Sequence, residues 1–192
     1  MPRAAQNAPK VEVRSRRELR TWLAKHHADH GSAWLVTWKK HTAHYLSIGD
    51  AIEELLCWGW IDSQTRSVDI DRTSVLIAPR NPKSAWSRVN KEKVETARAS
   101  GAMTEAGEAL IATAMASGMW TFLDDVERLD RPADLDAAIG DLVAEWEAYP
   151  RSVKRGTLEW IKTAKTDATR AKRIAAVAQS LASGQRPPPF RR

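Results

Sequence analysis

The sequence predicts an α+β fold, with a small antiparallel sheet near the N-terminal half packed with helices and a C-terminal half that is helical. Three observations predict this class. Alternating apolar residues, which are typical of strands, occur before Pro79. From Thr104 onward the only periodicity is helical. The 192 residues, 43% of them hydrophobic, are enough to bury a core.

The first predicted element is a helix that begins at Ser15. The run SRRE is a capping box, which satisfies the first free N–H groups of a helix. Gly31 ends this helix. The run SAWLVTWKK then predicts a strand, because Trp34, Val36 and Trp38 alternate onto one face.

A second helix is predicted to begin at Ser47 and to end near Gly59. The runs WIDSQTRSVDI and SVLIA then predict a hairpin that ends at Pro79, since proline blocks further ladder bonding. Ser87 or Asn90 caps a third helix, which the next Ser-Gly pair closes.

The remaining sequence predicts helices over residues 104–116, 134–148, 152–164 and 167–181. We expect the tail SGQRPPPFRR to be extended and mobile, because consecutive prolines cannot join a helix. The predicted organisation is a disordered segment at 1–13, an α+β core at 14–103, a helical subdomain at 104–183 packed on the core, and a flexible basic tail at 184–192.

The net charge of +6 hides a segregation of charge along the chain. Residues 104–150 hold 2 basic and 11 acidic residues, a net charge of −9, whereas residues 151–192 hold 11 basic and 2 acidic residues, a net charge of +9. Two arrangements are open. The acidic stretch packs beside the basic one and neutralises it, or the basic stretch faces an anionic partner.

No apolar run approaches the length of about 18 residues that spans a membrane, and the N-terminus lacks the apolar region of a secretory signal. We therefore expect no membrane span and a cytoplasmic location. The single Cys57 lies in an apolar helical run and is expected to be a buried structural thiol. Nothing in the sequence sets the oligomeric state.

The stretch PRNPKSAWSRVN combines three cations with two hydroxyls just before a predicted helix start. Arg80, with Ser84 and Ser87 and the helix N-terminus near Asn90, offers the donors that a phosphate or carboxylate needs. The alternative is a structural staple, in which Asp62 pairs with Arg80 and the serines cap a short helix.

Nine tryptophans are many for a chain of 192 residues, and most are expected in the core. Trp60 and Trp86 flank turns near cations and hydroxyls, where they could wall a pocket for a planar or anionic ligand. A second possibility is an enzyme in the same cleft, with Asp62 as general acid or base. The candidate ligand-binding residues are Lys39, Trp60, Ser63, Arg80, Ser84, Trp86, Ser87 and Asn90.

The run KTAKTDATRAKRI forms a second basic element. Lys165, Arg170 and Arg173 would form a solvated helix face or would contact a phosphate or nucleic-acid backbone. Nucleic acid is the less favoured partner, because no named nucleic-acid motif is present. His26 and His30 share a helix face, but spacing supplies no third ligand, so the sequence predicts no metal and no cofactor.

The segments WLVTWKK, LLCWGWIDS, APRNPKSAWSRVN and WIKTAKTDATRAKRI resemble the YdeI/OmpD-associated family, also called bacteriocin-protection proteins. The resemblance spans most of Ser15 to Leu181. It implies a protein of undefined biochemical activity that is linked to stress or antimicrobial resistance. Apolar residues at 75–78 stand where the family commonly has polar ones, which would make a pocket here more apolar. The resulting hypothesis is a protein of this type that binds a small anionic or planar ligand.

Overall fold

The computed structural model describes residues 8–29 and 31–190 and has the predicted α+β architecture. The chain divides into two compact units, Met1–Phe122 and Leu123–Arg192. The helix Glu105–Ala116 therefore belongs to the α+β unit, whereas the sequence placed the boundary before it.

The first unit contains a mixed four-stranded sheet with the strand order β1-β2-β4-β3. β2 pairs antiparallel with β4, and β4 pairs antiparallel with β3, as the hairpin prediction requires. β1 pairs parallel with β2, so the sheet is not purely antiparallel. The strands are β1 (Lys10–Glu12), β2 (Ala33–Trp38), β3 (Trp60–Ser67) and β4 (Arg72–Pro79).

The strand β1 corrects the expectation that the whole of residues 1–13 is disordered. Lys10, Val11 and Glu12 pair with residues 34–36 of β2. In addition, the amide of Val13 donates to Val36 O at 3.1 Å. Three residues are too few for a detectable alternation, so the sequence pattern gave no sign of this strand. Residues 1–7 lie outside the described part of the chain.

Four helices complete this unit, and a hydroxyl side chain caps each of them. Ser15 Oγ accepts from the backbone N–H of Glu18 at 3.2 Å, and Ser47 Oγ accepts from that of Asp50 at 3.0 Å. These caps satisfy N–H groups that the helices themselves cannot. The helices are α1 (Arg16–His26), α2 (Ile48–Cys57), α3 (Arg88–Ala99) and α4 (Glu105–Ala116).

Two hydrophobic clusters stabilise this unit. In the first, Leu23 of α1 and Leu55 of α2 pack with Leu35 and Ile77 on one face of the sheet. The second cluster joins α2, α3 and α4 and is composed of Leu56, Trp86, Val94, Ile111 and Ala114. Strand alternation turns Trp34 and Trp38 toward the opposite face of the sheet.

The second unit is helical, as predicted, but one of its predicted helices is divided in two. The predicted helix at 134–148 is interrupted at Gly140, whose φ of +49° lies in the left-handed region that favours glycine. The short helix α5 was not predicted. The helices are α5 (Asp124–Arg128), α6 (Ala133–Ile139), α7 (Val143–Glu147), α8 (Arg151–Lys162) and α9 (Asp167–Ala182).

The described part of the C-terminal tail, as far as Phe190, packs on this unit, although the sequence predicted a mobile tail. Pro188–Phe190 form a 3₁₀ turn. A Cβ at Gly156 of α8 would overlap the Phe190 ring, so the absence of a side chain there lets the ring approach the helix. Tyr149 Oη also donates to Gln185 O at 2.5 Å.

Candidate functional site

Arg80 lies where β4 ends, beside the start of α3. Its backbone N–H donates to Gly59 O at 2.9 Å, which extends the β3–β4 pairing by one bond. The guanidinium lies over the Trp86 ring at 4.2 Å, and Nη2 donates to Ala85 O at 2.6 Å. The residue is only 7% exposed. Local chain geometry therefore holds a cation in the interior of the first unit.

The Arg80 charge has no carboxylate partner among the described residues. Its Nε is buried without a hydrogen-bond partner in the same set of residues. Burial lowers the pKa of the guanidinium below its ordinary value. By contrast, Arg16 binds Glu53 at 2.8 Å and Glu54 at 2.9 Å. A buried cation without a counter-charge is costly, so Arg80 is the most unusual charge of this unit.

The residues that follow Arg80 form a tight loop and a helix cap. Asn81 accepts the backbone N–H of Lys83 through its side chain at 2.9 Å and that of Ser84 through its carbonyl at 2.9 Å. Ser87 caps α3, where its Oγ accepts from Asn90 N at 3.4 Å. Ser87 thus has the capping role that the sequence offered to Ser87 or Asn90. The Ser87 O–H remains available for another acceptor.

The structure places Trp60 and Trp86 in different clusters. Trp60 is 1% exposed, and its Nε1 donates to His27 O at 3.0 Å within the α1–α2 side of the core. Trp86 is also 1% exposed and packs against Trp120, with ring centroids 5.0 Å apart. The two indoles therefore do not face each other across an open cleft, and Arg80 contacts Trp86 alone.

Asp62 and Ser63 lie on the edge strand β3. Asp62 stands opposite Ile77, and an irregularity of the ladder follows it. No ion pair joins Asp62 to Arg80 within the described part of the chain. Ser63 Oγ donates to Leu76 O at 3.2 Å. The described contacts therefore include no Asp62–Arg80 pair, which the structural staple required. They also place no acid against the Arg80 guanidinium.

Lys39 lies at the other end of the sheet. Its backbone N–H donates to Asp71 O at 2.7 Å and its Nζ to Asp69 O at 2.6 Å, both beside the start of β4. Arg80 follows the far end of this eight-residue strand, about 26 Å away at the usual rise per residue. Lys39 and Arg80 do not converge on one ligand.

Two of the three candidate basic residues of the second unit have partners within that unit. Arg170 binds Asp134 with two hydrogen bonds, at 2.6 and 2.8 Å. Arg173 donates to Trp160 O and lies over the Trp160 ring at 5.0 Å. Lys165 is exposed. Two of the three candidate nucleic-acid contacts are therefore already engaged.

The oppositely charged stretches pack together, which was the first of the two arrangements that the charge pattern left open. Four ion pairs among the described residues each join a carboxylate before residue 150 to a cation after it. The pairs are Asp125–Lys162, Glu127–Arg155, Asp134–Arg170 and Glu147–Lys154.

A model of the family described as Domain of unknown function (DUF8412) matches residues 11–110, which is more than half of the chain. The chain belongs to this family. The DUF8412 match contains the runs LLCWGWIDS and APRNPKSAWSRVN, and with them Arg80 and Trp86.

A second family model, described as Bacteriocin-protection, YdeI or OmpD-Associated, matches residues 129–184. This match confirms the resemblance and contains the run WIKTAKTDATRAKRI. No match was found among curated proteins or solved structures. The two family matches thus lie on separate stretches of the DUF8412 chain.

A cleft that the sequence did not predict lies between α1, α2 and the end of α3, with a volume of about 560 Å³. Glu54 is 1% exposed there and accepts from Arg16, from Arg20 at 2.8 Å and from Trp58 Nε1 at 3.1 Å. The i, i+4 spacing of the two arginines was a detectable signal. Because the carboxylate already binds both guanidinium groups, this cleft of the DUF8412 domain is largely neutralised internally.

Two further predictions concern Cys57 and the membrane. Cys57 is fully buried, and burial raises the pKa of its thiol from 9.0 to about 11. This fits the expected structural thiol. Of the helices in the described part of the chain, none is both long enough and apolar enough to cross a bilayer. His30 lies outside the described residues, and those described contain no cluster of three or more possible metal ligands.

Proposed function

We propose that the chain binds a small anion, a phosphate or a carboxylate, at the junction of β4 and α3, with Arg80 as the charged anchor. One observation carries the proposal: the guanidinium is buried without a carboxylate among the described residues, and its Nε has no partner. An anion would supply the missing counter-charge and the missing acceptor.

The surroundings of Arg80 support an anion rather than a cation. Between Pro79 and Lys91 the sequence contains Arg80, Lys83, Arg88 and Lys91 and no acidic residue, and of these cations Arg88 pairs with Glu92. α3 also points its N-terminus, the positive end of its dipole, toward this loop. The hydroxyl of Ser87 stands at that terminus. The positive charges, the α3 dipole and the Ser87 hydroxyl therefore all favour an anionic ligand.

The tryptophan contact defines what the ligand would meet. Because Trp86 covers one face of the Arg80 guanidinium, an acceptor would approach through the edge that carries Nε. Approach through the edge is how a guanidinium binds the oxygens of a carboxylate or phosphate in pairs. In this proposal Trp86 positions the cation and keeps water from it, while Trp60, Ser63 and Lys39 serve the fold elsewhere.

The matched family names suggest a wider context for this binding. Bacteriocin protection is a resistance property, and an anion site would be the biochemical part that this chain contributes to it. The proposal does not include turnover, because no contact places Asp62 against Arg80.

Titration calorimetry against inorganic phosphate, acetate and citrate tests the proposal. Wild-type protein should bind at least one of them, and Arg80→Met should lose that binding by at least about tenfold, the loss of one charge-assisted hydrogen bond. Arg17→Met is the matched control, because Arg17 is exposed on α1. Equal binding by wild type and Arg80→Met, or no binding of any of the three anions by wild type, would show that Arg80 anchors no such ligand.

A further inference from the structure

We propose that the anion bound at Arg80 carries an apolar chain, so that the ligand is an aliphatic carboxylate with one acidic head group. This inference rests on the proposed function, since Arg80 supplies the contact for the head group. Its own evidence is a set of apolar side chains that are exposed at the starts of α2 and α3. They are Tyr45 (49% exposed), Ile48 (51%) and Val89 (51%).

Val89 and Ile48 lie close together, although they belong to different helices. Lys93 follows Val89 by one turn on the same face of α3. The Lys93 Nζ donates to Gly49 O at 2.9 Å, which ties this face of α3 to the first turn of α2, where Ile48 lies. The apolar stem of Lys93 runs between the two residues. Scattered exposed apolar residues are ordinary, but adjacent ones commonly mark a binding surface.

This apolar strip begins beside the proposed anion site. Trp86 stacks on the Arg80 guanidinium, and Ser87, the next residue, caps α3. Val89 follows the cap by two residues, so it lies in the first turn of the helix. Side chains of the first turn flank an anion that is bound at a helix N-terminus. A head group at Arg80 would therefore leave the rest of the ligand next to Val89.

The charge of the site favours a head group with a single negative charge. Arg80 is one cation, it is 7% exposed, and its Nε is buried without an acceptor among the described residues. A carboxylate carries one negative charge at neutral pH, whereas a phosphate monoester carries about 1.5 to 2. The excess charge of a phosphate would be buried without a counter-charge, which is costly. A carboxylate is therefore the better match for Arg80.

The size of the apolar strip favours a small ligand rather than a protein. Stable protein interfaces bury about 800 Å² on each partner. Three half-exposed side chains present far less apolar area than that. An unbranched chain needs only a narrow strip, and it gains affinity in proportion to the apolar area that leaves water.

Titration calorimetry with butyrate and octanoate tests the inference, because the two acids differ only by four methylene groups. Val89→Ser and Ile48→Ser remove the apolar contacts and leave Arg80 in place. Ile70→Ser is the matched control, since Ile70 is 81% exposed in the turn between β3 and β4. Octylammonium, which has the same chain length and the opposite charge, is the control for non-specific adsorption.

We expect wild type to bind octanoate at least about tenfold more tightly than butyrate, from about twofold for each half-buried methylene. Val89→Ser and Ile48→Ser should each lower this ratio severalfold, and Ile70→Ser should leave it unchanged. Arg80→Met should weaken the binding of both acids by about tenfold. Octylammonium should not bind.

The inference is overturned if the two acids bind wild type equally, if Val89→Ser and Ile48→Ser keep the wild-type ratio, or if octylammonium binds as tightly as octanoate. Equal binding of both acids that is lost in Arg80→Met would leave the anion site in place and remove only the apolar chain. Failure of wild type to bind either acid or inorganic phosphate would remove the anion site as well.

Discussion

Replacing Arg80 by methionine tests whether its charge is retained for a ligand rather than for stability. The methionine side chain replaces the apolar stem of the arginine and removes its charge. The guanidinium gains about 2 kcal/mol from a desolvated cation–ring contact and about 1.5–3 kcal/mol from its charged hydrogen bond to Ala85 O. Taking it out of water costs several kcal/mol. These opposing contributions are of similar size, because no carboxylate adds to the favourable side.

We therefore expect the free energy of unfolding of Arg80→Met to lie within about 1 kcal/mol of the wild-type value in the absence of anions. Arg80→Ala removes the packed stem as well and leaves a cavity beside Trp86, so it should lose about 3 kcal/mol. Urea denaturation followed by tryptophan fluorescence measures both differences. Phosphate at a hundred times its Kd should then stabilise wild type by about 2.7 kcal/mol and leave Arg80→Met unchanged.

A loss of stability in Arg80→Met as large as that in Arg80→Ala would contradict a ligand role for the charge. Such a result would mean that the guanidinium itself holds the β4–α3 junction together, as a structural staple does. Equal stabilisation of wild type and Arg80→Met by phosphate would separately place the anion elsewhere.

Three further predictions follow from the contacts of other residues. Glu54→Ala should lower the free energy of unfolding by about 3 kcal/mol, because it leaves Arg16 and Arg20 without their buried acceptor; Glu95→Ala, whose side chain is 65% exposed, is the urea-denaturation control and should change it by less than about 0.5 kcal/mol. The hydrogen bonds from Arg170 hold the pKa of Asp134 below its usual 3.8, so the stabilisation is complete above that value and is lost as pH falls below it. Thermal melts between pH 7 and pH 2 should accordingly show a flatter acid limb for Asp134→Asn, and equal acid limbs would contradict this coupling. Cys57, with its raised pKa, should react with iodoacetamide at least about 100-fold faster in urea than in the native protein, and rapid native labelling would contradict its burial.

The helices were the most predictable part of the fold, because their start signals are local. Ser15 and Ser47 cap helices where the sequence placed them, and Ser87 is the one of its two candidate caps that the helix uses. A cap depends on one hydroxyl and an N–H three residues later, and both are visible in the sequence. The exceptions are the unpredicted short helix α5 and the helix broken at Gly140, where the apolar pattern continued across a residue that leaves the helical conformation.

The candidate site was less predictable, because it depends on the direction in which side chains point across the fold. The sequence placed Trp60, Trp86 and Arg80 near turns, which is where they lie. It did not indicate that the α1–α2 side of the core takes one indole and the α2–α4 cluster the other. Nor could it show that Lys39 and Arg80 lie at opposite ends of β4, since that follows from the register of β2 against β4.

The parallel pairing of β1 has a practical consequence for anyone who shortens this chain. Trimming residues 1–13 as dispensable would uncover the backbone of β2, a run of mostly buried side chains with unpaired N–H and C=O groups along one side. Open strand edges of this kind recruit strands from other molecules. The charged side chains of Lys10 and Glu12 make β1 a poor template for such pairing. The strand β1 therefore protects the sheet against self-association.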